Sequence, residues 1–274
     1  MNKKKIRVVS IVFLILMIIL TYLPVAILTI YSFTDSKTIG TWNGFSFDLY
    51  QELFEDSEIM DALKNTVIVG LSASALAVVL GTLAAIGIGS MRKGSRLIME
   101  SINQITMVNA DIVTAIGFML LFLFVIVIPD DFAALIIAHT IICTPYVVMS
   151  VLPRLSQLNP NVYEAGLDLG ATPARALFTI LLPQLIPAII SGFALAFTIS
   201  LDDFTISTFV SSSVETIPRY LYNKLKIKGV MPVLRALSVV IMAVVMLALI
   251  VINAFTARNE KKKQQMEKSL GGAQ

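Results

Sequence analysis

The stretch NPNVYEAGLDLGATPARALFTILLP, Asn159 to Pro183, decides how the rest of the chain is read. Apolar runs too long for a globular core lie on both sides of it, so this polar, small-residue segment is expected as a loop between two membrane spans. Its own signals predict two short helices around a tight turn. Asn161 is placed to cap the first, Gly170 stands where a helix ends with positive φ, Thr172 caps the second with Pro173 at its first position, and Pro183 is expected to stop it. Ala165, Gly166, Gly170 and Ala171 carry almost no side chain, which lets another protein approach the backbone closely at the turn. A soluble helix-turn-helix on DNA would need a basic recognition helix. The loop offers only Arg154 and Arg175, so nucleic acid is not expected as a partner.

Composition widens the same reading. Hydrophobic residues fill 57% of 274 positions and charged ones only 14%, well under the roughly 25% of an ordinary soluble domain. That predicts an all-α, polytopic membrane protein in contact with lipid. The net charge of +3 is too small to argue for nucleic acid. Cys143 is the single cysteine, which rules out a disulfide framework within the chain.

Six apolar segments are expected, at about 8–30, 66–89, 101–128, 132–151, 184–210 and 236–257. The first follows Lys3, Lys4, Lys5 and Arg7 and is too long for a signal-peptide core, so it reads as a retained span. Residues 33–65 read as an acidic loop, seven acids to two bases, with Trp42, Phe45, Phe47, Tyr50 and Phe54 suited to an outer membrane interface. The second span is rich in Ala, Gly and Ser, as an interior helix of a bundle would be. His139, in the fourth, reads as a hydrogen-bond partner between helices rather than a ligand. The loop 211–235 carries five bases, yet fourteen Lys and Arg fall on the segments assigned inside and seven on those assigned outside. Both termini are therefore expected in the cytoplasm, with 258–274 as a solvated tail.

The chain has no Gly-x-x-x-x-Gly-Lys-Ser/Thr stretch to cradle nucleotide phosphates, and one histidine gives hydrolysis little to stand on. No catalytic residue, cofactor or metal is expected. A motor, if there is one, is a separate chain.

Glu164, Ala165, Gly170, Ile180, Leu182 and Pro183 stand at the spacing EAA, three residues, Gly, nine residues, Ile, one residue, Leu-Pro. On these residues the chain resembles the permease subunits of bacterial ABC importers. Gly166 is a departure, since that family usually has Ala there. The resemblance implies a type I ABC importer permease-like fold of about six transmembrane helices, one permease domain over 1–274, in the bacterial cytoplasmic membrane. It makes 154–183 a cytoplasmic coupling loop in which Glu164, Ala165, Gly166, Gly170, Ile180, Leu182 and Pro183 dock on an ATPase present in two copies. A second permease subunit and an extracytoplasmic binding protein are the other implied partners.

WNGF at 42–45, DIV at 111–113, AHTIICTPYVV at 138–148, SLDDFTISTFV at 200–210, TIP at 216–218, Tyr222, Gly229, Pro232 and Ala236 narrow the resemblance to the polyamine branch, whose PotC-like permeases pair with a PotB-like one. Ala110, where Pro is common, and one extra residue before Gly229 are departures. The branch implies spermidine or putrescine as cargo; another solute, or a channel or receptor without an ATPase, is the alternative. An Asp at the centre of a membrane helix costs roughly 2.5 to 3.5 kcal/mol, so Asp111, Asp202 and Asp203 call for a partner or a wet cavity. The spans offer no Lys or Arg as partner, and an anionic cargo would ask for one. These acids are expected to form a cation path with Phe118, Tyr146 and Phe204 as its walls. Asp111 is expected near the midplane of a straight third span. Adjacent residues point about 100° apart on a helix, so at most one of Asp202 and Asp203 faces the path fully. The bland alternative is that the acids only cap or bind neighbouring helices.

Overall fold

The computed structural model describes residues 3–36, 38, 40–128, 130–228, 231–247, 250 and 254. Among them all regular structure is helical. The elements are α1 (Lys3–Tyr31), α2 (Asp48–Glu55), α3 (Ser57–Gly89), α4 (Lys93–Val108), α5 (Asp111–Phe124), α6 (Asp131–Ser156), α7 (Pro160–Asp168), α8 (Pro173–Ala176), a π turn (Leu177–Leu181), α9 (Leu182–Asp202), α10 (Thr205–Val210), α11 (Ile217–Lys228) and α12 (Val233–Leu247). Among the described residues, four helical segments are long and apolar enough to cross a membrane: Ser10–Tyr31, Ser57–Gly89, Asp131–Ser156 and Pro173–Asp202. A fifth would be the pair α4 and α5, and α12 is a shorter apolar helix. The tail 258–274 and the end of the last expected span lie outside the described residues.

The third expected span is not one straight helix. Its halves α4 and α5 meet at a bend of 99°, where Asn109 and Ala110 are extended, with ψ of 144° and 129°. Asn109 Nδ2 reaches over the break to Thr114 Oγ1 at 2.9 Å. Asp111 therefore opens a helix instead of sitting in the middle of one, and a depth counted along a straight rod does not apply to it. The bend forms without a proline at 110.

Two further boundaries differ from the sequence reading. The acidic segment before residue 66 is largely helical: it contains α2 and the first turns of α3, whose start is capped by Asp56 Oδ1 accepting from the Glu58 and Ile59 amides at 2.9 and 3.3 Å. Pro183, expected to end a helix, lies inside a helical run that continues from Pro173 to Asp202. A proline ring clashes with the carbonyl four residues earlier in α geometry. Here the turn before it is widened, with the Leu182 amide bonding back five residues to Leu177 O, which gives the ring room.

The chain divides into two compact units. The first comprises residues 1–60 and 221–246. In it Phe33 stacks on Phe45 at 5.3 Å and meets Phe47 and Tyr50, Lys224 pairs with Glu58, and buried Arg235 donates to Ser36 O at 3.0 Å.

The second unit comprises residues 61–220 and 247–274. Its core joins α3, α6 and α9 through Ala77, Ala85, Val147, Val151, Leu185 and Ala196. The small residues of α3 are what allow close approach, because packing in lipid relies on contact rather than on water exclusion. At Gly81 an added Cβ would stand 2.6 Å from Val147 Cβ and 3.0 Å from Thr144 O. At one end of α6, Asp131 Oδ2 accepts from the Ser212 and Ser213 amides at 2.9 and 2.7 Å. Arg219 donates to the carbonyls of Ser211, Val214 and Ser212 in the same loop.

Candidate functional site

The breaks in the helices, not the helices themselves, build the site. Asp111 at the head of α5, Tyr146 in α6 and Asp202 and Asp203 at the foot of α9 come together around one cavity of about 250 Å³. Thr106, Thr114 and Thr198 add hydroxyls to its walls, and Ile142, Ile199 and Ile206 add apolar surface. Neither Lys nor Arg is among the residues lining it.

The three acids are stabilised very differently. Asp111 lies in the first turn of a 14-residue helix, where the positive end of the helix dipole favours a carboxylate by about 0.3 to 1 kcal/mol. Asp203 is satisfied by protein: Oδ1 accepts from the Ile206 amide at 3.2 Å, and Oδ2 from the Ser207 amide and hydroxyl at 2.9 and 3.1 Å. It caps α10. Asp202 is the last residue of α9, at the negative end of that dipole, and it is exposed. An acid placed there is disfavoured unless a cation comes to it.

His139 is buried, as a hydrogen-bond partner between helices is expected to be. Its Nδ1 lies 2.7 Å from Ser200 Oγ of α9, and its Nε2 lies 3.3 Å from Ser207 Oγ of α10 and 3.4 Å from Asp203 Oδ2. This Ser, His and Asp set is sealed: Ser200 is 4% exposed and His139 1%, so no substrate reaches the hydroxyl.

Two expected wall residues are not at the cavity. Phe118 lies on the same face of α5 as Asp111 but two turns on, about 10 Å away, where it stacks on Phe122 at 5.8 Å. Phe204 sits in the break itself, half-buried, and does not line the cavity. Sequence reasoning missed the three threonines and the double contact of His139.

The 159–183 loop folds as one short helix, a turn and the start of the long helical run from Pro173 to Asp202, with one cap moved. Asn159, not Asn161, caps α7: its side chain accepts from the Asn161 amide at 3.0 Å, because Pro160 takes the first helical position. Gly170 has φ of +86°, the Ala171 amide closes back on Gly166 O at 3.1 Å, and Thr172 Oγ1 accepts from the Arg175 amide at 3.3 Å. Glu164, Ala165, Gly170 and Pro183 are exposed, Ile180 and Leu182 are half-buried, and Gly166 is buried. Ile180 Cδ1 occupies the space of the methyl that Gly166 lacks, 2.3 Å from where that Cβ would stand. Ile180 is therefore an internal strut of the loop. Leu169, which no sequence signal had singled out, is 89% exposed beside Gly170, a large apolar side chain of the kind that calls for a covering surface.

Residues 77–264 match the family described as binding-protein-dependent transport system inner membrane component. The chain belongs to that family. This inner membrane component is 36% identical over 238 residues to the spermidine/putrescine transport system permease protein PotC of Haemophilus influenzae, covering 86% of this chain and 91% of that protein. It is 37% identical over 262 residues to the putrescine transport system permease protein PotI of Escherichia coli K12, covering 92% of each. Among solved structures, a bacterial ABC transporter that imports the acidic polysaccharide alginate matches with a TM-score of 0.72 and 18% identity, over 93% of this chain and 96% of that one. At that identity the likeness concerns the fold alone. Members of the family are permeases whose ATPase is a separate subunit and which work with a substrate-binding protein; this inner membrane component is a multi-pass membrane protein.

Proposed function

We propose that this chain is the transmembrane permease subunit of an ATP-driven importer in a bacterial cytoplasmic membrane, and that its cargo is a polyamine. The observation that carries the reading is the cavity in which Asp111 and Asp202 face apolar and hydroxyl-bearing walls with no basic residue among them. A polyamine alternates ammonium groups with methylenes, and such a lining suits both parts. The placement of Asp202 at a helix C-terminus adds to this, since the cargo itself would be the cation that the position lacks. The names of the relatives point the same way.

The loop around Gly170 is the surface that docks on the cytoplasmic ATPase, two copies of which serve this chain and a second, PotB-like permease. An extracytoplasmic binding protein delivers the cargo. Both termini face the cytoplasm, as the distribution of Lys and Arg favours, and 258–274 forms a tail there. ATP hydrolysis belongs to the partner subunit.

The test is uptake of labelled putrescine and spermidine into proteoliposomes holding the whole complex. Asp111→Asn and Asp202→Asn should each lower uptake and polyamine-stimulated ATP hydrolysis while leaving the amount of assembled complex unchanged. Wild-type kinetics in both variants, or transport of a solute without amines in their place, would sink the polyamine reading.

A further inference from the structure

Among the described residues, the buried histidine links both sides of the break after α9. Ser200, one side of it, lies two residues before Asp202; Ser207, the other, lies in the first turn of α10. His139 bonds the first through Nδ1 at 2.7 Å and meets the second through Nε2 at 3.3 Å. Asp203 closes the ring from within the break, 3.4 Å from Nε2 and bonded to the α10 amides. A break in a membrane helix leaves backbone groups unpaired and two segments free to swing, and it holds one geometry only where neighbours re-satisfy those groups. Here the Asp203 carboxylate re-satisfies the α10 amides, and the His139 imidazole ties together the hydroxyls on either side.

Asp202 stands between these two anchor points and has no comparable support, since its side chain is exposed in the cavity. The direction of its carboxylate is therefore inherited from the break. Swinging the α9 end by a fraction of a turn would carry Asp202 away from Asp111, because residues on a helix are spaced about 100° apart. We propose that His139 is a positioning residue for translocation: by clasping Ser200 and Ser207 across the helix break, it fixes the direction in which Asp202 presents its carboxylate to the cavity. The proposal rests on the reading of that cavity as part of the cargo path. His139 does not itself touch cargo.

Imidazole is suited to this task because its two nitrogens lie on opposite sides of one rigid ring and can serve two partners at once, the role at each nitrogen following from the other. An Asn at 139 matches the reach of Nδ1 and a Gln that of Nε2, so each keeps one partner and loses the other. Leu keeps bulk and loses both.

The experiment uses the full complex in proteoliposomes and two readouts. The first is independent of cargo: in a Cys143→Ser background, Asp202→Cys is treated with a small cationic methanethiosulfonate and its modification rate followed with and without the His139 change. His139→Leu should slow the reaction at least about fivefold, with His139→Asn and His139→Gln falling between. The second readout, in chains with Asp202 intact, is polyamine uptake. There His139→Leu should raise the half-saturating polyamine concentration by about fivefold, the equivalent of losing one hydrogen bond, with a smaller change in the maximal rate; a merely structural loss would reduce the maximal rate with the amount of complex instead. If His139→Leu yields too little complex, the Asn and Gln variants decide. Modification of the introduced thiol at the unaltered rate in assembled complexes of the Leu variant, or of both the Asn and Gln variants, overturns the proposal. Wild-type uptake in Asp111→Asn and Asp202→Asn would instead remove the cargo path, while the thiol rate would still report on His139.

Discussion

Val147 Cγ1 lies 2.8 Å from the point at which a Cβ would stand on Gly81. Turning that tip aside would not relieve the contact, for Val147 Cβ and the Thr144 carbonyl oxygen also stand close, at 2.6 and 3.0 Å. Gly81→Ala should force α3 away from α6 and cost about 1 to 3 kcal/mol, read as a lower melting temperature of the purified complex. Gly87→Ala, six residues along the same helix with nothing within 4 Å of the added atom, should leave the melting temperature unchanged or raise it. Equal effects from the two would mean that close packing of α3 does not hold the core.

The φ of +86° at Gly170 strains most other residues, β-branched ones above all, yet there is open space where a Cβ would stand. Conformation and bulk can thus be separated: Gly170→Asn, which tolerates the left-handed region, should retain more uptake than Gly170→Val. Leu169→Glu should weaken binding of the ATPase subunit while leaving membrane insertion intact, because it alters the exposed apolar side chain of the turn and not its backbone. Co-purification of the ATPase is the measurement. Normal co-purification and uptake in Gly170→Val and Leu169→Glu together would refute docking at this turn.

Gly166→Ala meets only the tip of Ile180, which can rotate. The single change should therefore be mild, and Ile180→Val should relieve it further. A double-mutant cycle on complex stability should give a favourable coupling energy of about 0.5 kcal/mol or more. Strict additivity would show that the two residues do not share the space.

Asp202→Asn and Asp203→Asn are not equivalent substitutions. Asp203 caps α10, so Asp203→Ala should cost about 1 kcal/mol of stability, visible as a lower melting temperature with uptake lost in proportion. Asp202→Asn should reduce uptake with no loss of stability. A destabilised Asp202→Asn beside a fully stable Asp203→Ala would reverse the assignment.

The Ser212 loop carries the topology. With Cys143→Ser, which can keep the bond to Ala196 O, a cysteine in place of Ser212 retains its amide bond to Asp131 and stays exposed. It should react with a membrane-impermeant thiol reagent on intact cells. Labelling only after lysis would invert the orientation.

Much of this was legible in the residues alone. Gly170 and the Thr172–Pro173 pair announced the turn and the second helix start, because positive φ and a preset N1 position are demanded locally. The spacing of adjacent residues on a helix suggested that at most one of Asp202 and Asp203 faces the path fully; in the structure both line the cavity, because the chain is extended at Asp203 and helical spacing no longer applies there. What stayed hidden depends on partners far along the chain. Nothing local says that α4 and α5 part at Ala110, or that a π turn absorbs Pro183. Phe118, expected as a wall of the path, does not line the cavity and stacks on Phe122 two turns from Asp111, since residue type alone does not give position along the path. His139 could be read as a bond between helices, while its second partner needed the fold.

The run from Pro173 to Asp202 joins the turn at Gly170 to the acid at the cavity without interruption, about 45 Å at roughly 1.5 Å per residue. A rod of that kind conveys torque as well as thrust. Its one irregularity, the five-residue π turn, stores a single residue beyond regular α winding; returning it to α geometry would spin everything downstream by about 100°. With such a transition, a push at one end of the shaft would be read at the other as a change of bearing.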